Sequence, residues 1–292
     1  MNLMLAPGTF DGKTVLITGG GSGLGLSMAE GLLRLGAKVC LMSRSEDKLQ
    51  AASEKLVSQT GGSVFTFSAD VRDAAKVEEG IHYFIESAGG LHAVVNNAAG
   101  NFISPTERLS ANAFSSIIDT VLKGSIHTTL AAGKYWIEKK QPGVFLNIAT
   151  TYATTGSAFV VPSATAKAGL IALTRSLAVE WGEYGIRSNA IAPGPFPTEG
   201  AWSRLFPKEA LPPALADKMD LASRIPIGRV GNHEELVNLV GFLLSDFSAY
   251  INGEVVTIDG GEWLQGAGEF NWLKAVPNEM WDAIAKATRK GA

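Results

Sequence analysis

Lys13-Thr14-Val15-Leu16-Ile17-Thr18 runs directly into Gly19-Gly20-Gly21-Ser22-Gly23-Leu24-Gly25, and this stretch decides the fold. A short apolar run ending in glycines is a buried strand meeting a tight turn. Leu26 to Leu35 then has helical apolar spacing, so the glycines open a helix. Glycine lets the backbone turn sharply and approach a ligand with no Cβ in the way. The helix N-terminus adds unpaired N–H groups and partial positive charge, which suit a pyrophosphate. A glycine loop alone is weak. Between a first strand and a first helix it points to a dinucleotide site at Gly19, Gly20, Gly21, Ser22, Gly23 and Leu24. A purely structural turn is the competing reading.

Outward from this stretch, strand and helix alternate. Strands are predicted at 38–43, 63–69, 93–96, 144–148, 186–192 and 254–258. Helices are predicted at 46–58, 74–87 and 111–139, and from Pro162 to Trp181. Near-continuous apolar strands separated by helices argue for a parallel sheet covered on both faces. Right-handed crossovers make it doubly wound. The expected fold is α/β, a single Rossmann-type domain over 1–292 with a mostly parallel sheet. Residues 194–225 break the pattern with prolines and amphipathic pieces, as a surface excursion or a substrate lid. The tail, 262–292, carries Trp263, Trp272 and Trp281 and reads as packing.

The 292 residues are 46% hydrophobic and 18% charged, enough for a large core. A net charge of -3 gives no electrostatic footprint for nucleic acid or anionic membrane. The single Cys40 lies in an apolar run and excludes an internal disulfide framework. The four histidines are scattered and suggest no metal site. No apolar run is long enough to span a bilayer. Met1 to Phe10 lacks the pattern of a transit or signal peptide. The chain as given reads as cytoplasmic, or mitochondrial if a transit peptide has been removed.

The second strand ends Met42-Ser43-Arg44. An acid at this end would accept from both ribose hydroxyls of NAD. Arg44 instead suits a 2′-phosphate, so NADP(H) is the expected cofactor. A solvated arginine is the alternative.

Three features together carry a family resemblance: the Gly19–Gly25 loop, Asn96-Asn97-Ala98-Ala99-Gly100, and Pro193-Gly194-Pro195. Over residues 11–262 the chain resembles the short-chain dehydrogenase/reductases. The resemblance implies cofactor contacts from Asp70, Val71, Asn97, Lys167, Pro193, Gly194, Pro195 and Phe196. It also places departures at the catalytic positions. Most active members have Tyr-x-x-x-Lys where this chain has Ser163-Ala164-Thr165-Ala166-Lys167. Thr150 stands at the usual serine, and Val121 at the usual asparagine of a proton relay. The nearest tyrosine is Tyr152. Reduction of an ordinary carbonyl is therefore not expected.

Asn101-Phe102, Thr151-Tyr152-Ala153, the stretch Gly156 to Ser163 and Gly268-Glu269-Phe270-Asn271 resemble the 2,4-dienoyl-CoA reductases, more the mitochondrial than the peroxisomal type. This implies NADPH-dependent reduction of a 2,4-dienoyl-CoA to a 3-enoyl-CoA in β-oxidation of unsaturated fatty acids. Tyr152 and Asn101 would hold the dienolate oxygen, Lys167 the cofactor ribose, and Ser163 a nearby hydrogen bond. Arg72, Phe102, Ser110 and Arg204 would touch the acyl-CoA thioester, and the assembly would be a homotetramer. Left open are a trans-2-enoyl-CoA reductase, an inactive NADP(H)-binding protein, and a serine–lysine hydrolase built on Ser163 and Lys167. The competing readings are a buried tyrosine with a satisfied hydroxyl at Tyr152, a turn residue at Asn101 and a surface charge at Arg72.

Overall fold

A computed structural model describes residues 1–198, 220–282 and 284–285. Its centre is a seven-stranded sheet in the order β3-β2-β1-β4-β5-β6-β7. The strands are β1 (Thr14–Thr18), β2 (Lys38–Ser43), β3 (Val64–Ser68), β4 (Ala93–Asn96), β5 (Gly143–Ile148), β6 (Ile186–Pro193) and β7 (Val255–Ile258). Every pairing is parallel, where the sequence led us to expect a mostly parallel sheet. Each connection is a crossover, so no antiparallel edge strand arises.

The period-2 alternation of the strands divides the interior in two. Val15, Ile17, Val39, Leu41, Val95 and Leu146 face one side, where α1 (Gly23–Arg34) and α2 (Glu46–Thr60) cover them. Leu16, Cys40, Met42, Val94 and Phe145 face the other, under α3 (Ala74–Ala88). Trp136 fills this second core and donates its indole N–H to the Leu91 carbonyl at 2.7 Å, which satisfies its one polar atom. Both faces of the central strands are covered, so those strands read as near-continuous apolar runs.

The predicted helix over 111–139 is interrupted. Helix α4 (Ala111–Ile118) passes through a π turn at Asp119–Lys123 into α5 (Gly124–Lys139). The extra residue of a π turn rotates the side chains that follow it. Val121 is fully buried against Ile117, Ala166 and Leu170, while Thr120 faces the site cleft.

After β5 come a short α6 (Tyr152–Thr155) and then α7 (Val161–Glu180), which opens on Pro162 as predicted. A helix absent from the sequence reading, α8 (His233–Leu244), covers the first core through Leu236, Val240 and Leu243. Its signal was present in Asn232-His233-Glu234-Glu235: the Glu235 carboxylate accepts from the Asn232 N–H at 2.8 Å, half of a capping box. A short helix, α9 (Glu262–Ala267), follows β7. No helix among the described residues is long and apolar enough to cross a membrane.

A buried polar ladder fixes α7 on the sheet. Asn96 donates to Thr129 at 3.2 Å and to Asn147 at 2.9 Å, and Asn147 donates to Thr174 on α7 at 2.9 Å. In a dry interior such directional bonds set one register rather than several. They place the first turns of α7, with Ser163 and Lys167, at the carboxyl edge of the sheet.

Candidate active site

The strand order reverses between β1 and β4, and a crevice opens outside their carboxyl ends, the usual ligand position in a doubly wound sheet. The cleft there has a volume of ≈ 570 Å³.

Its floor is the glycine turn. Gly19 has φ +65°, and a Cβ on Gly25 would lie 2.5 Å from the Gly19 carbonyl oxygen, so both positions exclude a side chain. Asn97 staples the turn by donating to the Thr18 and Gly19 carbonyls at 2.9 and 3.3 Å. The Thr18 hydroxyl accepts from the Asn97 and Ala98 N–H groups at 3.0 Å each. Gly21, Ser22 and Leu24 line the cleft beside Gly19 at the N-terminus of α1. Gly20 packs on Leu41, and Gly23 supplies a turn at φ +55°; neither lines the cleft. The cradle fits a pyrophosphate: bare backbone, helix N-terminus and no opposing acid on the loop.

Further along, Ser43, Arg44, Ser45 and Lys48 line one end. Arg44 has no ion-pair partner among the described residues. Lys48 is a second cation that the sequence reading missed; its one-turn spacing from Arg44 into α2 was the available signal. Asp70 and Val71 also line this end. The Asp70 carboxylate is held by the Arg72 guanidinium through contacts of 3.0, 3.0 and 2.6 Å, which keep its carboxyl below the ordinary range.

At the other end Thr150, Tyr152, Ser163, Lys167 and Asn101 come together. Asn101 Nδ2 donates to the Tyr152 hydroxyl at 3.3 Å, and the Tyr152 and Ser163 hydroxyls lie 3.1 Å apart. The Asn101 carbonyl oxygen accepts from the Phe102 N–H at 2.9 Å, which fixes the amide with its NH₂ toward Tyr152. Lys167, one turn beyond Ser163 on α7, is buried and donates to the Ile148 carbonyl. Burial pushes its amine down to about 8. Among the described residues no hydrogen bond joins Ser163 to Lys167, so the serine lacks the activated base a hydrolase needs.

The other expected residues sit differently. Pro193 and Phe196 line the cleft; Gly194 and Pro195 do not. Gly194 instead pairs its N–H with Ile258, and the Pro195 carbonyl accepts from Gly231. The Arg72 side chain is engaged by Asp70 outside the cleft lining. Phe102 packs on the apolar cluster around Ile117 and Leu170. Ser110 caps α4, accepting from the Ala113 N–H at 3.1 Å. Arg204 and most of the expected lid over 194–225 lie outside the described residues. Thr120 and Thr198 line the cleft and were not anticipated.

Comparison with known proteins agrees with this architecture. A family model described as Enoyl-(Acyl carrier protein) reductase matches residues 19–262. A Bacillus subtilis (strain 168) protein named a probable 2,4-dienoyl-CoA reductase, (2E)-enoyl-CoA-producing, is 46% identical over 86% of this chain and 97% of its own. A Caenorhabditis elegans protein named probable 2,4-dienoyl-CoA reductase 3, (3E)-enoyl-CoA-producing, is 40% identical over 98% and 92%. The crystal structure of a short chain dehydrogenase from Bacillus anthracis superposes with a TM-score of 0.76 at 42% identity, covering 86% of this chain and 96% of that one. With a glycine cradle, a parallel sheet and a cleft at its switch point, the chain belongs to the short-chain dehydrogenase/reductase family and is an oxidoreductase that works with a nicotinamide cofactor.

Proposed function

We propose that the protein is an NADPH-dependent 2,4-dienoyl-CoA reductase that forms a 3-enoyl-CoA. The observation that carries this is the Asn101–Tyr152–Ser163 hydrogen-bonded cluster at the cleft end, with serine and not tyrosine one turn before Lys167. When bound, NADPH would supply a hydride to the δ carbon of the conjugated thioester. As the C–H bond forms there, an electron pair moves through the diene to the thioester oxygen. An oxyanion on that atom needs two aimed donors. Asn101 has a second amide hydrogen beyond the one given to Tyr152, and the Tyr152 O–H can turn from Ser163 to the new oxygen. Ser163 then donates to Tyr152 and supports it.

Among the described residues, no carboxylate or histidine lines the cleft beside this cluster. On this reading water protonates the dienolate, and kinetic protonation at the α carbon leaves the double bond at position 3. An acid held beside the γ carbon would give the 2-enoyl product instead. Arg44, with Lys48 near it, supports NADPH over NADH through the 2′-phosphate. Lys167 supports the cofactor ribose. A role in β-oxidation, and assembly as a homotetramer, belong to the same proposal.

The test is NADPH consumption with 2,4-hexadienoyl-CoA and with 2-hexenoyl-CoA, with the product identified. Turnover of the diene alone supports the reading. Equal turnover of the 2-enoyl thioester overturns it in favour of an enoyl reductase, and no turnover of either overturns it in favour of a cofactor-binding protein.

A further inference from the structure

Two non-glycine residues among those described have a left-handed backbone, Lys140 at φ +53° and Phe159 at φ +66°. Lys140 ends α5, where a left-handed residue is an ordinary cap. Phe159 ends nothing: α6 is already closed by Gly156, and α7 begins two residues later. Bulky side chains avoid this conformation, and glycine or asparagine would adopt it more easily. Phe159 is also 55% exposed, so its ring contributes little to the core. Neither backbone preference nor packing accounts for a phenylalanine here.

Its neighbours do. Phe159 lies at the tip of the loop between Tyr152 and Ser163, whose hydroxyls meet at 3.1 Å. Its carbonyl accepts from the Ser104 N–H at 2.9 Å. Two bonds thus join the segments 101–104 and 152–159: Asn101 to Tyr152 at the cleft, and outside its lining Ser104 to Phe159. Ile103, beside the outer bond, is 49% exposed. Two exposed apolar residues therefore sit on the segments that supply the oxyanion donors, just outside the residues that line the cleft.

We propose that Phe159 and Ile103 form an apolar lip that receives the distal part of the substrate's acyl chain and sets chain-length preference. This rests on the acyl-thioester reading above. The residues act on substrate fit, and the strained backbone at Phe159 is retained for that role.

The test uses the full chain, with 2,4-hexadienoyl-CoA and 2,4-decadienoyl-CoA as substrates. Phe159→Gly and Phe159→Asn should each lower the ten-carbon to six-carbon ratio of kcat/KM by about tenfold, chiefly through KM. Their thermal midpoints should equal or exceed the parent's, since both residues accept a positive φ. Ile103→Ser should shift the ratio in the same direction. A fallen midpoint with an unchanged ratio would make Phe159 structural and overturn the lip. If the parent reduces both thioesters but the variants keep its ratio, the lip fails while the reductase reading stands. If the parent reduces neither, the reductase reading fails and the lip with it.

Discussion

The Tyr152 hydroxyl lies 3.1 Å from the Ser163 hydroxyl although the residues stand eleven positions apart. Ser163 occupies the turn of α7 before Lys167, and Tyr152 reaches the same point from α6, across the mouth of the cleft. A phenol is thus present at the site but delivered from another direction, with Asn101 beside it. Tyr152→Phe should lower turnover of a dienoyl thioester by roughly two to three powers of ten, the usual loss for one oxyanion donor. The NADPH dissociation constant should stay the same. Asn101→Ala should behave alike, and the pair together should lose less than the product of the single effects. Steady-state kinetics with fluorescence titration of NADPH separate the two quantities; near-normal turnover in Tyr152→Phe would make the hydroxyl structural.

Arg44→Asp should weaken NADPH by roughly ten- to hundredfold, the loss of one charge-assisted bond, and improve NADH. Lys48→Ala should weaken NADPH by only about a few-fold, as befits an exposed point charge. Titration of both variants with both cofactors decides it. Equal affinity of the unaltered protein for NADPH and NADH would remove the assigned role of Arg44.

Lys167 gives a stability prediction with a definite sign. Its folded-state amine titrates at about 8 against an ordinary 10.5, so the charged form is penalised in the fold. That penalty is complete below about 8, fades as the pH rises toward 10.5, and is gone above it. Lys167→Met should therefore stabilise the cofactor-free protein at pH 7 by on the order of 2 kcal/mol. Each tenfold displacement of the proton equilibrium is worth about 1.4 kcal/mol, and the lost hydrogen bond to Ile148 offsets about 1. The gain should shrink in alkali while activity is poor at every pH. Denaturant melts at neutral pH and near pH 10.5 check it, and a variant less stable than the parent at pH 7 contradicts it.

Glu235 tests the helix that the sequence reading missed. The Arg229 guanidinium first, and the Asn232 N–H second, hold its carboxyl down at about 2 against an ordinary 4.5. A depressed carboxylate stabilises the fold above its unfolded value and loses that contribution as the pH falls toward the folded one. Its side chain is 41% exposed, so solvent screening limits Glu235→Gln to a cost below about 1 kcal/mol at pH 7. Thermal melts should show that cost vanishing toward pH 2. A cost that persists there would mean packing, not charge, is what the substitution removes.

The sheet was legible because each buried strand is a short apolar run bounded by glycine, proline or polar residues, and β2 and β4 match their predicted bounds. Helix α8 was not, because Leu236, Val237, Val240 and Leu243 follow a stretch of prolines and glycines in which no strand prepared the eye for a helix. The π turn at Asp119–Lys123 was invisible for a different reason: it changes hydrogen-bond register without changing composition. At the site, the glycine cradle followed from its motif, and the interest of Asn101, Tyr152 and Ser163 from the resemblance to the 2,4-dienoyl-CoA reductases; that their side chains meet is seen only in the structure. The engagement of Arg72 by Asp70 and of Ser110 in a cap did not, since both depend on where a side chain turns after the backbone is set.

The central claim is that hydride enters a conjugated dienoyl thioester and the double bond ends at position 3. The most direct measurement is single-substrate turnover of 2,4-hexadienoyl-CoA with 4-deuterated NADPH in water, the product read by NMR. The account predicts deuterium on carbon 5, a solvent proton on carbon 2 and a 3-hexenoyl product. Deuterium on carbon 3, or a 2-hexenoyl product with its new solvent proton on carbon 4, would contradict it.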